Sequence, residues 1–227
     1  MPRLIVLPGM DGTGLMLGDF VASLGEDFPV TVLAYPAAEP LSYQQLEERL
    51  LPALPTAEPF FLLGESFGGP LAIALAAKQP VGLLGLVLCA SFVRYPVSAL
   101  RAAALLSRVT PTHAAPSFAL SWLLLGQWST PALRSDLAAS LAAVSGAALR
   151  SRLESALRAD VSGLLSSIKV PLLYLRASND RVIPRSAGAT IVRAAPQSSL
   201  IEQSGPHFLL QAAPVACAQL VRRFAGF

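Results

Sequence analysis

Six short β-rich runs, several of them continuously apolar, recur along this chain with longer amphipathic stretches between them. They cover Arg3–Leu7, Val30–Ala34, Pro59–Leu63, Leu84–Cys89, Pro171–Arg176 and Ser198–Glu202. A strand that alternates apolar and polar residues has one wet face, whereas a continuous apolar run suits a parallel strand buried on both faces. The stretches between them carry helical periodicity at about Gly14–Leu24, Ser42–Leu54, Phe67–Lys78, Arg185–Ala194 and Phe208–Phe224. Strands alternating with helices predict an α/β fold: an open, mostly parallel six-stranded sheet with helices on both faces. The 227 residues accommodate one such domain, spanning 1–227, and 53% hydrophobic content with a mean hydropathy of +0.56 predicts a thick core.

One segment breaks the rhythm. From Phe92 to Ser167 the sequence shows helical patterns rich in Ala and Leu, punctuated by Pro96, Pro111, Pro116 and Pro131, and no convincing strand. That is longer than a crossover needs, so 92–167 reads as a helical cap inserted after the strand that ends near Cys89. Within it Phe118, Leu120, Trp122, Leu123, Leu124, Leu125 and Trp128 form a dense apolar cluster. Trp122, Leu125 and Trp128 are candidate substrate contacts, although the same residues would serve to pack the cap onto the sheet.

The bulk properties exclude several function classes. A net charge of +3 arises from scattered arginines without a basic run, which gives no basis for nucleic-acid binding. The charge-free stretch between Arg108 and Arg134 is broken by prolines and polar residues, so stable membrane insertion is not expected. The N-terminal apolar run is too short for a secretory signal, and a cytoplasmic location is expected. Cys89 and Cys217, the two cysteines, are expected to be buried free thiols.

The chemistry is concentrated at Gly64-Glu65-Ser66-Phe67-Gly68, directly after an apolar run and before a helical stretch. Glycine-x-serine-x-glycine between strand and helix is the pattern of a nucleophile elbow. A serine hydroxyl reacts only when it is held clear of the strand where a base can take its proton. Such a site also needs an acid to orient the base and donors for the oxyanion. His207 follows the last strand through Gln203-Ser204-Gly205-Pro206, where a base can overhang the sheet edge; His113, the second histidine, lies among prolines in the cap. Asp180 follows the fifth strand, in a polar loop where aspartate also serves turns and helix caps. Two considerations favour the orienting role. The end of the fourth strand offers Ala90-Ser91-Phe92 and no acid, and Ser66, Asp180, His207 is the chain order of the α/β-hydrolase triad.

The oxyanion donors are expected to be the backbone N–H of Phe67, at the start of a helix, and that of Met10, in the glycine-rich loop Pro8-Gly9-Met10-Asp11-Gly12-Thr13-Gly14. The spacing of Gly9, Gly12 and Gly14 does not match a dinucleotide or phosphate loop. Asp11 is expected to satisfy loop amides and Glu65 to make a polar contact beside the elbow.

On Leu7-Pro8-Gly9-Met10-Asp11-Gly12-Thr13-Gly14, Gly64-Glu65-Ser66-Phe67-Gly68-Gly69, the Asp180 loop with Val182-Ile183-Pro184, and Gly205-Pro206-His207-Phe208, the chain resembles the α/β-hydrolase superfamily, in particular compact bacterial esterases. The first loop is also similar to that of plastid ester-synthesising acyltransferases. The resemblance implies that this sheet lacks the first two strands of the full fold; Pro8 stands where many relatives have a histidine. It further implies a serine hydrolase that cleaves small-molecule esters or thioesters with an apolar acyl or alkyl group, without a cofactor or metal. Acyl transfer or perhydrolysis on the same triad, C–C hydrolysis, peptide hydrolysis and a non-catalytic ligand receptor remain the alternatives.

Overall fold

A computed structural model describes residues 1–95, 117–195 and 197–227. Six strands, β1 (Arg3–Leu7), β2 (Val30–Val32), β3 (Phe60–Glu65), β4 (Leu83–Cys89), β5 (Leu172–Ala177) and β6 (Ser198–Gln203), form one sheet in the order β2-β1-β3-β4-β5-β6. Every neighbouring pair is parallel. Side chains alternate between two cores, as the two-residue period of a strand demands. Ile5, Leu7, Phe60, Leu62, Leu86, Leu88, Leu172 and Tyr174 face one. Leu4, Val6, Phe61, Leu63, Val87, Cys89, Leu173 and Leu175 face the other.

Helices α1 (Gly18–Leu24), α2 (Tyr43–Leu50) and α3 (Gly68–Ala77) follow β1, β2 and β3 in turn. After β4 the described residues form α4 (Ser117–Leu124), α5 (Pro131–Ala142) and α6 (Gly146–Arg158). Then α7 (Arg185–Ala194) joins β5 to β6, and α8 (Leu209–Ala212) and α9 (Pro214–Ala225) close the chain. Phe20, Leu24, Cys217, Ala218 and Val221 place α1 and α9 on one face; Leu46, Leu50, Leu71, Leu75, Ala187 and Ile191 place α2, α3 and α7 on the other. The fold class read from the sequence is therefore observed, with the sheet parallel throughout.

Local signals explain most boundaries. Ser42 caps α2 in a reciprocal capping box with Gln45, and Thr130 caps α5 with Pro131 next in line. Three expected helices differ in detail. The stretch Ser42–Leu54 is α2 followed by a 3-10 turn over Leu51–Ala53. The stretch Gly14–Leu24 begins as a 3-10 turn over Leu15–Leu17 behind left-handed Gly14. The stretch Phe208–Phe224 is two helices, because Pro214 has no N–H to continue the first and is favoured at the start of the second. Among the described residues of 92–167 there is no strand, only one isolated bridge between Arg94 and Asp160. His113 lies outside the described residues. Cys89 and Cys217 are buried free thiols, as expected.

Candidate active site

The elbow is built by backbone crowding. A Cβ placed on Gly64 would stand 2.6 Å from the Gly68 carbonyl oxygen and 2.7 Å from Gly69 Cα, and one on Gly69 would collide with the Ser91 hydroxyl. Glycine at these positions lets α3 start directly against β3. Between them Ser66 adopts φ 47°, a left-handed conformation that costs a non-glycine residue on the order of 1–3 kcal/mol. Three hydrogen bonds hold it there. The Ser66 N–H donates to the Cys89 carbonyl (2.9 Å), and the Ser66 carbonyl accepts from the Gly69 N–H (3.1 Å) and the Ser91 hydroxyl (2.7 Å).

His207 and Asp180 reach this serine from the ends of β6 and β5. Ser66 Oγ lies 2.8 Å from His207 Nε2, and His207 Nδ1 lies 3.0 and 2.9 Å from the two Asp180 carboxylate oxygens. Both side chains are almost fully buried, at 3% and 5% exposure. An anion beside Nδ1 favours the tautomer protonated there, which leaves the Nε2 lone pair facing the serine. Asp180 Oδ1 also accepts from the Val182 and Ile183 N–H groups, each at 2.8 Å. The carboxylate thus structures its own turn and faces the histidine at once, so the two sequence readings of Asp180 are compatible. The segment after β4 braces both loops: the Leu124 carbonyl accepts from the Phe208 N–H (3.1 Å), and Arg181 Nη1 donates to the Trp122 carbonyl (2.6 Å).

The loop after β1 has every carbonyl from Pro8 to Gly12 occupied. Pro8 accepts from the Tyr35 hydroxyl (2.9 Å), Gly9 from the Gly12 N–H (3.0 Å), and Gly12 from the Tyr35 N–H (2.7 Å). Met10 and Asp11 both accept from Arg152 Nη1, at 3.1 and 2.6 Å. Among the described residues, the N–H groups of Met10 and Phe67 have no hydrogen-bond partner. The Phe67 ring stacks on Tyr43 (4.5 Å between centroids), whose hydroxyl donates to the Phe67 carbonyl at 2.9 Å. Asp11 accepts from the Thr13 N–H and hydroxyl, the loop-ordering role expected of it. Glu65 is buried and accepts from Gln211 Nε2 at 2.9 Å; burial, aided by Asp11, pushes its carboxyl up to about 7.

Tyr35, Tyr43, Ser91, Arg152 and Gln211 were not singled out by sequence reasoning. Arg152 carried a usable signal. It sits on the stripe Ala148, Leu149, Arg152, Ala156 that α6 buries, where a cation is out of place. Of the proposed substrate contacts, Leu125 is fully buried, Trp122 is 61% exposed with the Arg181 guanidinium 4.4 Å from its ring centroid, and Trp128 is partly buried. Among the described residues no group of three or more His, Cys, Asp or Glu could hold a metal ion, and no helix is long and apolar enough to cross a membrane.

Comparison with known proteins places this geometry in context. The Hydrolase_4 family model (serine aminopeptidase, S33) matches residues 44–204. Among solved structures, the chain is similar to an enol-lactonase from Burkholderia xenovorans LB400 (TM-score 0.86, 20% identity), with 100% of this chain and 92% of that one covered. It is also similar to a bromoperoxidase from Bacillus anthracis (TM-score 0.87, 15% identity, 100% and 92% covered). A thermophilic esterase from Thermogutta terrifontis gives a TM-score of 0.83 at 20% identity, with 100% and 90% covered. These likenesses establish the α/β-hydrolase fold. In sequence, the chain is 37% identical over 108 residues to phytyl ester synthase 1 and 34% identical over 93 residues to phytyl ester synthase 2, both chloroplastic proteins of Arabidopsis thaliana. The matches cover 44% and 38% of this chain but only 15% and 13% of those proteins.

Proposed function

We propose that this chain, which belongs to the Hydrolase_4 family (serine aminopeptidase, S33), cleaves carboxylic esters or thioesters through an acyl-enzyme on Ser66. The observation that carries the reading is the unbroken relay from Ser66 Oγ through His207 to Asp180, with every step at 2.8–3.0 Å. In this reading His207 Nε2 takes the proton as Ser66 Oγ attacks the acyl carbon. Asp180 orients the imidazole and stabilises its cation. The N–H groups of Met10 and Phe67, without a partner among the described residues, receive the oxyanion, the latter at the positive end of α3. The tetrahedral intermediate then expels the alcohol or thiol, which takes its proton from His207, and water repeats the sequence to release the acid.

In this reading the described part of the segment between β4 and β5 caps the site, and an apolar acyl or alkyl group would meet Trp122 and Trp128, leaving Leu125, which is fully buried, to packing. An aminopeptidase must neutralise a substrate ammonium group. Of the described acids in this segment, Asp160 and Glu154 are engaged by Arg94 and Arg158, and Asp136 is exposed. That favours an ester over a peptide. The likeness to the two phytyl ester synthases supports a second reading, in which an alcohol rather than water takes the acyl group from Ser66. A series of p-nitrophenyl esters and acyl-CoA thioesters of increasing chain length, each with and without a long-chain alcohol, tests both. Hydrolysis that improves with chain length and disappears in Ser66→Ala supports the first. Ester formation that outpaces hydrolysis favours the second, and a Ser66→Ala protein with wild-type turnover overturns both.

A further inference from the structure

Arg152, on α6, is the bulkiest fully buried side chain among the described residues, at 1% exposure. Burying a guanidinium costs several kcal/mol unless its donors are met, and the usual partner is a carboxylate. Here the partners are three carbonyls from two separate loops. Nη1 donates to Met10 and Asp11, and Nη2 to Pro36 at 2.9 Å, while the guanidinium lies 5.4 Å from the Tyr35 ring centroid. The surroundings are shaped to admit it. A Cβ on Gly12, itself at φ 69°, would stand 2.7 Å from Arg152 Nη1.

What the arginine grips is a turn. The Gly12 N–H closes on the Gly9 carbonyl, which puts Met10 and Asp11 at its corner. The central peptide of such a turn, Met10–Asp11, is the one that rotates when turn types interconvert. Rotation would swing the Met10 carbonyl toward the side now occupied by the Asp11 N–H, beside the Met10 N–H. That would bring a dipole of the wrong sign close to a developing oxyanion. We propose that Arg152 is a positioning residue that locks this peptide and thereby keeps the Met10 N–H available to the reacting carbonyl oxygen. The inference rests on the serine-hydrolase reading above. It gives the segment between β4 and β5 a role in the chemical step as well as in covering the site.

The test compares wild type, Ser66→Ala, Arg152→Lys and Arg152→Ala on one p-nitrophenyl ester, at a temperature below every variant's unfolding midpoint. Loss of one oxyanion donor lowers kcat by about 10²–10³-fold, so Arg152→Ala is expected to fall by up to that factor. KM should change by less than about threefold, since the interaction matters in the transition state and little in the ground state. Arg152→Lys, with one compact donor group in place of a fork, should fall between the two. The pH dependence of kcat/KM should stay at its wild-type position, because the base is untouched, and added methylguanidine should restore kcat to Arg152→Ala. If Ser66→Ala is inactive while the folded Arg152 variants turn over like wild type, this inference alone is refuted. A loss that methylguanidine leaves unchanged and that follows the folded fraction also refutes it. If Ser66→Ala keeps wild-type activity, the reading beneath it falls as well.

Discussion

Replacing Glu65 with glutamine removes a titration that burial has displaced. The carboxyl is 4% exposed, and burial is the main cause of its rise from 4.5 to about 7; the Gln211 hydrogen bond opposes the rise. Between those two pH values the folded protein holds a proton that the unfolded chain has already released. The unfolded state therefore binds fewer protons, and stability falls as pH increases. The contribution is fully present below about 4.5, is lost as pH rises through about 7, and is constant above that. A displacement of this size corresponds to about 3 kcal/mol. Glutamine does not titrate, so Glu65→Gln escapes the loss, and its amide can also donate to Gln211 Oε1, a buried acceptor with no hydrogen-bond partner among the described residues. Urea unfolding of both proteins from about pH 4.5 to about pH 8 measures the difference. The variant should gain about 3 kcal/mol on the wild type across that window, with most of the gain complete near pH 7. Parallel stability profiles would refute the buried, displaced carboxyl.

Three further outcomes follow from the geometry. Asp180→Asn keeps an acceptor for Val182 and Ile183 but favours the wrong imidazole tautomer, and should lower kcat by about 10⁴-fold in ester hydrolysis with little change in unfolding midpoint. Gly64→Ala forces a methyl into the backbone of α3 and should cost about 1–3 kcal/mol or more, read as a lowered urea midpoint or loss of soluble protein. Tyr43→Phe keeps the stack on Phe67 but leaves its carbonyl without the hydroxyl donor, and should cost about 1 kcal/mol in urea unfolding.

The sheet was legible because parallel strands buried on both faces need continuous apolar runs, and such runs differ from everything around them. Both ends of β1, the starts of β2 and β6, the end of β4 and both ends of α7 fall where the sequence puts them. The ends of β3, β5 and β6 lie one or two residues later because backbone hydrogen bonding continues past the apolar residues, as at Gly64 and Glu65, which pair with Leu88 and Cys89, whereas β2 stops at Val32, short of Ala34. At the site, Ser66, Asp180 and His207 were legible because each must hang from a strand end, and few residues of the right type occur there. Their supports were not. Tyr35, Tyr43 and Ser91 act through hydroxyl groups on backbone carbonyls, contacts that depend on which loops meet and leave no pattern along the chain. Gln211 and Glu65 meet across 146 residues of sequence, for the same reason. Arg152 was the exception, a cation on a helix stripe whose other members are apolar.

A fluorophosphonate probe reads directly whether Ser66 is a nucleophile activated by His207. The phosphorus is attacked by the serine oxygen and the adduct is located by mass spectrometry of the peptides. One adduct is expected, on the peptide carrying Ser66, formed far more slowly in His207→Ala and absent in Ser66→Ala. A wild-type protein that is folded by circular dichroism yet stays unlabelled, or that carries its adduct on another residue, would contradict this role for Ser66.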